Sequence, residues 1–155
     1  MAALETAYDV CVVTQNIDDL HERGGSTHII HVHGEITKVR SSWDENDIYS
    51  IGYADIKLGD KCPEGSQLRP HIVWFGEAVL FYAEAEEAIS AADKILVIGT
   101  SLSVFPAAYL LQSARADAEK VLVSPVMDVV PRGYQYIADT AVGAVPGLVE
   151  RWLAK

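Results

Sequence analysis

The run Val10-Cys11-Val12-Val13 breaks off at Thr14-Gln15-Asn16-Ile17-Asp18, and this constrains the fold more than any other stretch. Adjacent apolar residues followed at once by hydroxyl, amide and carboxylate groups predict a buried parallel strand, Val10 to Val13, whose carboxyl end opens onto a ligand crevice. Two further runs repeat the pattern: Ile95 to Ile98 closes in Gly99-Thr100-Ser101, and Val121 to Val123 closes in Ser124-Pro125. Apolar residues elsewhere recur at helical spacing. Ala85, Ala88, Ile89 and Ala92 form one stripe; Ala107, Leu110, Leu111 and Ala114 form a second, with Pro106 in its first turn. Val145, Leu148, Val149 and Trp152 form a closing helix with Pro146 near its start, and Ala2 to Tyr8 read as the tail of another helix. Strand and helix in alternation predict an α/β fold, a Rossmann-like doubly wound parallel sheet.

Residues 38–69 differ in kind. They are polar, rich in Asp, Gly, Ser and Lys, and lack sustained periodicity, which predicts a small inserted module or long loop between Rossmann-like portions at 1–37 and 70–155. Trp43, Tyr49, Ile51 and Tyr53 are the residues expected to hold that module by packing. After it, Ile72 to Phe75 followed by Gly76-Glu77 reads as a short strand with an unpaired edge, to which an extended peptide can add.

Composition narrows the partners. Twelve Lys and Arg against 22 Asp and Glu give a net charge of −10, a surface that repels phosphate backbones and anionic lipid and tolerates basic peptides. Nucleic acid and membrane are therefore not expected partners. No apolar run approaches the ~20 residues that cross a bilayer. Met1 to Tyr8 lacks the features of a signal peptide, so a cytoplasmic protein is expected. Cys11, inside an apolar run, and Cys62, in a loop, are too few for a disulfide framework, and Cys11 is expected to fill core.

The second polar constellation is His28-Ile29-Ile30-His31-Val32-His33-Gly34. A strand from Ile29 puts His31 and His33 on one face and His28 on the other, and no carboxylate stands at a suggestive interval, so a metal reading of the three histidines is the weaker one. Imidazole exchanges protons near neutral pH, which suits His33 to general-base work. Gln15, Asn16 and Asp18 offer amide and carboxylate groups for ribose hydroxyls and a carboxamide, or else cap a helix at Asp19-Leu20-His21-Glu22. Gly99, Thr100 and Ser101 allow close approach of a phosphate or ribose.

Taken in order, Gln15-Asn16-Ile17-Asp18, His33-Gly34, Val73-Trp74-Phe75-Gly76-Glu77, Gly99-Thr100-Ser101 and Ala141 to Pro146 resemble the sirtuins of bacterial type, NAD-dependent protein-lysine deacylases. The resemblance implies NAD as cofactor and acyl-lysine peptides or proteins as partners. The acyl-lysine amide oxygen would attack C1′ of the nicotinamide ribose, nicotinamide would leave, and His33 would take a ribose hydroxyl proton so that the 2′-oxygen captures the acyl carbon. The products would be nicotinamide, free lysine and 2′-O-acyl-ADP-ribose. By the same resemblance Gln15 contacts the nicotinamide ribose, Asn16, Ile17 and Asp18 line the nicotinamide pocket, and Ser124, Ala141 and Val142 lie near adenosine. Val73 would bind the lysine amide through its backbone, Phe75 would wall the acyl channel, and Trp74, Gly76 and Glu77 complete the segment.

The sequence departs from the sirtuin pattern in two places. The Gly-Ala-Gly-x-Ser cofactor loop has no counterpart in these 155 residues. A chain without that segment is expected to bind NAD poorly, turn over slowly and self-associate through an exposed sheet edge; a catalytically silent ADP-ribose- or acyl-peptide-binding module is the alternative function. The Cys-x-x-Cys pairs of the family's zinc are reduced to Arg40-Ser41-Ser42-Trp43 and Cys62-Pro63-Glu64-Gly65, so no metal is expected.

Overall fold

The computed structural model describes residues 1–103 and 105–154. The chain forms two compact units, one of residues 12–81 and one of residues 1–11 together with the segment from residue 82 onward.

In the first unit β1 (Val12–Thr14) and β2 (Ile29–His31) pair in parallel, Val12 opposite Ile29 and Thr14 opposite His31. The short helix α1 (Leu20–Arg23) lies in the crossover. The strand expected at Val10 to Val13 thus begins two residues later and takes in Thr14. Its first rung is the Val12 N–H on the His28 carbonyl, while Val10 packs into the core of the other unit. Nor is His33 on a strand with His31, because β2 stops at His31 and Val32-His33 turn the chain into β3 (Gly34–Ser41). Gly34 makes that turn at φ +76, with the His71 carbonyl oxygen only 2.1 Å from where a Cβ would stand. No other residue fits.

The segment that lacked periodicity contains antiparallel sheet. β3 is flanked by β4 (Ile48–Ser50) and β5 (Leu68–Ile72), and its register against β5 shifts between Glu35 and Val39. The shift explains the missing signal: a bulge breaks the two-residue alternation by which strands are read, and Val39, Arg40 and Ser41 are buried in succession. The core here is Val32, Val39, Cys62 and Ile72. Trp43 and Tyr53 do not pack the module as expected; they are 89% and 75% exposed. Strand β5 also ends at Ile72, leaving Val73 to Glu77 as an irregular segment and turn rather than a strand with a free edge.

In the second unit β6 (Lys94–Ile98), β7 (Glu119–Val123) and β8 (Gln135–Ile137) form a parallel sheet in that order. Helix α2 (Tyr82–Ala91) and a 3₁₀ helix at Ala107–Ser113 contact each other, and α3 (Ala141–Leu153) contacts both β7 and a 3₁₀ helix at Ala2–Thr6. Successive residues of β7 feed opposite faces: Val121 and Val123 pack with Leu4, Leu148 and Trp152, whereas Leu122 packs with Ile95 and Val97. Covered on both faces, β7 is apolar throughout its buried length, as a central parallel strand requires. The fold is α/β with parallel sheets of Rossmann-like character.

Two helices differ from expectation in type. The stripe at 107–114 is 3₁₀, since Pro106 offers no side-chain cap and a seven-residue run gives little reward for α-helix nucleation. Helix α3 starts earlier than its apolar stripe, where Thr140 Oγ1 accepts the Gly143 N–H at 3.1 Å, so Pro146 lies inside it. Among the described residues no helix is long and apolar enough to cross a membrane.

Candidate active site

Each unit carries one set of the residues picked out by sequence. In the first unit the Thr14–Ile17 segment is held through its main-chain carbonyls, with one side-chain contact, the Thr14 Oγ1 that accepts the Asn16 N–H at 3.0 Å. The Thr14 carbonyl accepts the Val32 N–H at 3.0 Å and the Ile17 carbonyl accepts the Ile36 N–H at 2.8 Å. Between them, the Gln15 carbonyl faces His33 Nδ1 and the Asn16 carbonyl faces His31 Nδ1, both at 3.2 Å. Because the backbone accepts all four bonds, the side chains of Gln15 and Asn16 are left over: among the described residues neither carboxamide has a protein partner. Asn16 is exposed and Gln15 half-buried. Asp18 accepts the Leu20 N–H on Oδ1 at 3.1 Å, so it serves the start of α1 while its second oxygen stays open.

The tautomer of His33 follows from its partner. A carbonyl oxygen can only accept, so Nδ1 carries a proton, and in the neutral ring Nε2 presents a lone pair. His33 is half-buried, and Nε2 has no protein partner among the described residues. This is the arrangement a general base needs.

The segment after β5 is anchored to the same turn, with the Val73 N–H donating to the His33 carbonyl at 3.0 Å. Trp74 and Phe75 are exposed, Phe75 completely, a placement that costs apolar hydration unless a ligand covers it. Glu77 is turned inward. Its carboxylate accepts two bonds from Arg69 at 2.6 and 3.1 Å, one from Arg40 at 3.1 Å and the Trp74 N–H at 3.0 Å. The Arg69 hydrogen bonds are the chief reason the Glu77 carboxyl lies below its usual range, outweighing partial desolvation. Arg40 and Arg69 were not among the residues singled out by sequence; their partner lies 37 and 8 residues away, and no spacing rule reaches it. Tyr53 was likewise missed in this role: its hydroxyl donates to Asp19, next to Asp18.

In the second unit Gly99 follows β6 at φ +63, and a Cβ there would meet nothing within 4 Å, so a ligand can approach the backbone. Thr100 Oγ1 accepts the Leu102 N–H, and the Ser101 and Ser103 hydroxyls pair at 2.5 Å. Ser124 is buried and donates its hydroxyl to the Val126 carbonyl at 2.7 Å, which leaves it only acceptor capacity for a ligand. Ala141 and Val142 form the first turn of α3, where backbone N–H groups lack intrahelical partners, and Val142 is exposed.

A thiolate zinc does not fit the residues present. Cys62 Sγ lies 3.7 Å from Ser41 Oγ, which also accepts the Trp43 and Asp44 N–H groups at 3.1 and 3.3 Å. A hydrogen-bonded knot thus closes the loop. Asp47, Cys62 and Glu64 bring ligand atoms within 4.8 Å of one another, and so do Glu22, His31 and Glu35, but neither group has the four ligands of a structural zinc site.

The sequence model of the Sir2 family matches residues 1–106, more than half of the chain. The chain belongs to the Sir2 family. An NAD-dependent protein deacylase of Helicobacter pylori (strain ATCC 700392 / 26695) is 44% identical over 153 residues, covering 97% of this chain and 66% of its own length. A Sir2 homologue solved with ADP-ribose superposes with a TM-score of 0.86 at 33% identity, over 99% of this chain and 65% of that one. A Sir2 protein with a p53 peptide and NAD⁺ does so with a TM-score of 0.76 at 29% identity, over 99% and 69%. The chain spans less than two thirds of the length of its curated relatives.

Proposed function

We propose that this Sir2-family chain removes acyl groups from protein lysine at the expense of NAD. The observation that carries the proposal is the pairing of His33 with Gln15: the main chain fixes the tautomer, Nε2 is left to accept a proton, and the Gln15 and Asn16 carboxamides beside it are unspent. These donors and acceptors fit a nicotinamide ribose; in the second unit, taken by itself, the open approach at Gly99 and the first turn of α3 each fit a phosphate or ribose. NAD supplies the glycosidic bond that breaks and the ribose that accepts the acyl group.

The chain's own residues divide the work. Gln15 and Asn16 orient by hydrogen bonding, Ile17 and Asp18 border the same pocket, and His33 Nε2 withdraws the ribose hydroxyl proton. In the second unit, Gly99, Thr100, Ser101, Ala141 and Val142 are the residues offered to NAD, with Ser124 as an acceptor. The acyl-lysine peptide lies along Val73 to Phe75, Val73 offering its carbonyl because its N–H is taken by His33, and Phe75 covering the acyl chain. The relatives support this reading: curated proteins of this kind are NAD-dependent protein deacylases, and solved neighbours hold ADP-ribose, NAD⁺ and a peptide.

The test is release of nicotinamide from labelled NAD. Release that requires an acyl-lysine peptide supports the proposal. Release without peptide contradicts it and points to plain NAD hydrolysis, and no release at saturating NAD and peptide while both ligands bind contradicts it and points to a silent binding module.

A further inference from the structure

Two imidazoles hold the segment from Thr14 to Ile17, and the proposed chemistry uses only one of them. His31 is buried, at 6% exposure, with Nδ1 3.2 Å from the Asn16 carbonyl and Nε2 2.8 Å from Glu22 Oε1 on α1. Both partners are acceptors, so the ring satisfies both only when each nitrogen carries a proton, which makes the contact to Glu22 a charge-assisted hydrogen bond. Partial desolvation pushes the Glu22 carboxyl up, but the His31 hydrogen bond, a backbone hydrogen bond and the His31 charge together hold it below the ordinary range.

Asn16 sits between two rigid peptide planes. The plane before it is fixed at both ends, the Gln15 carbonyl by His33 and the Asn16 N–H by Thr14 Oγ1 at 3.0 Å. The plane after it is fixed by His31 through the Asn16 carbonyl. With both planes set, the direction of the Asn16 Cα–Cβ bond, from which the carboxamide starts, is set too. We infer that His31, braced by Glu22, is a positioning residue that aims the Asn16 carboxamide and keeps the Gln15 carbonyl where it selects the Nδ1–H tautomer of His33. This rests on the role proposed for His33, but the tautomer can be observed whether or not the chain turns over.

Two substitutions separate the two contacts. In His31→Asn the amide nitrogen takes the place of Nδ1 and can still reach the Asn16 carbonyl, whereas in His31→Gln it takes the place of Nε2 and reaches Glu22 alone. ¹⁵N-edited spectra of the histidine rings report the His33 tautomer, and steady-state kinetics report kcat and KM. His31→Asn is expected to keep the His33 Nδ1–H tautomer and kcat within a few-fold. His31→Gln is expected to mix the tautomers and lower kcat by about tenfold to 10²-fold, the upper figure being the cost of an ångström's misplacement, with peptide KM unchanged. Glu22→Ala, at an exposed position that folding tolerates, is expected to act in the same direction as His31→Gln and more weakly. A parent-like His33 spectrum in folded His31→Gln overturns the inference, as do equal losses in both His31 variants that follow thermal stability. If the parent shows no turnover, the deacylase proposal fails while the ring spectra still decide the role of His31.

Discussion

His33 donates its Nδ1 proton to the main-chain oxygen of Gln15, 3.2 Å away, across a turn that joins the end of β2 to the start of β3. The contact ties the proposed base to the residue before Asn16. His33→Ala is expected to lower acyl transfer by ~10² to 10⁴-fold, the usual cost of losing a general base. Peptide binding, measured by calorimetry, should stay within a few-fold of the parent, since Val73 meets His33 through the backbone alone.

Gly34 is the hinge of that turn. A Cβ there would stand 2.1 Å from the His71 carbonyl oxygen at φ +76, so Gly34→Ala combines a clash with backbone with left-handed strain. The strain alone costs about 1–3 kcal/mol, and the clash adds to it. Denaturant unfolding should show a loss of at least about 2 kcal/mol; a loss under about 0.5 kcal/mol, the scale of a neutral surface change, would contradict the packing.

Glu77 holds the Val73 to Phe75 segment by gathering four donors on one carboxylate. Glu77→Gln keeps the shape but offers one acceptor oxygen and no charge to the buried Arg40. A stability loss of about 1–3 kcal/mol is expected once the partial exposure of Glu77 is discounted. Peptide KM should rise several-fold while nicotinamide release at saturating peptide is little changed. A parent-like KM would mean that the clamp does not shape the peptide segment.

His71 sets a pH dependence. It is buried in β5 with Nδ1 unpartnered among the described residues, and burial, followed by the positive charges of Arg40 and Lys38, pushes its pKa below the ordinary 6.5; Glu35 opposes the shift. The unfolded chain therefore binds this proton more readily, and stability falls as pH drops below about 6.5. Unfolding midpoints measured from pH 7.5 to 5 should decline, and His71→Asn, which cannot be protonated, should flatten the decline.

The loop knotted by Ser41 and Cys62 leads to a prediction about metal. Elemental analysis is expected to find no stoichiometric zinc, and circular dichroism in excess chelator should match that of the untreated protein. About one zinc per chain, lost together with the fold on chelation, would contradict it.

The parallel strands β6 and β7 were legible because each carries an unbroken apolar run, Ile95 to Ile98 and Val121 to Val123, that ends in polar or small residues, whereas β8 (Gln135–Ile137), too short and polar at its start, was not. Nor was the antiparallel sheet. Its bulge between Glu35 and Val39 scrambles the alternation, and Arg40, Ser41 and His71 occupy buried positions where a pattern reader expects apolar side chains. Arg40 is tolerated there only because Glu77, 37 residues on, neutralises it. The proposal for Gln15, Asn16 and His33 starts from a short local motif, whereas the contacts of His31 with Asn16 and Glu22 could not be read from any. Their geometry depends on β2 ending at His31, a boundary set by Gly34 meeting β5.

The central claim is that this chain moves an acyl group from lysine to ADP-ribose with His33 as base. It is tested most directly by following an isotopically labelled acyl group, with NAD and an acyl-lysine peptide, by mass spectrometry. The label should appear on ADP-ribose in an amount matching the nicotinamide released, and both products should disappear in His33→Ala. Label recovered as free carboxylic acid without nicotinamide release, or on ADP-ribose in undiminished yield with His33→Ala, would contradict the account.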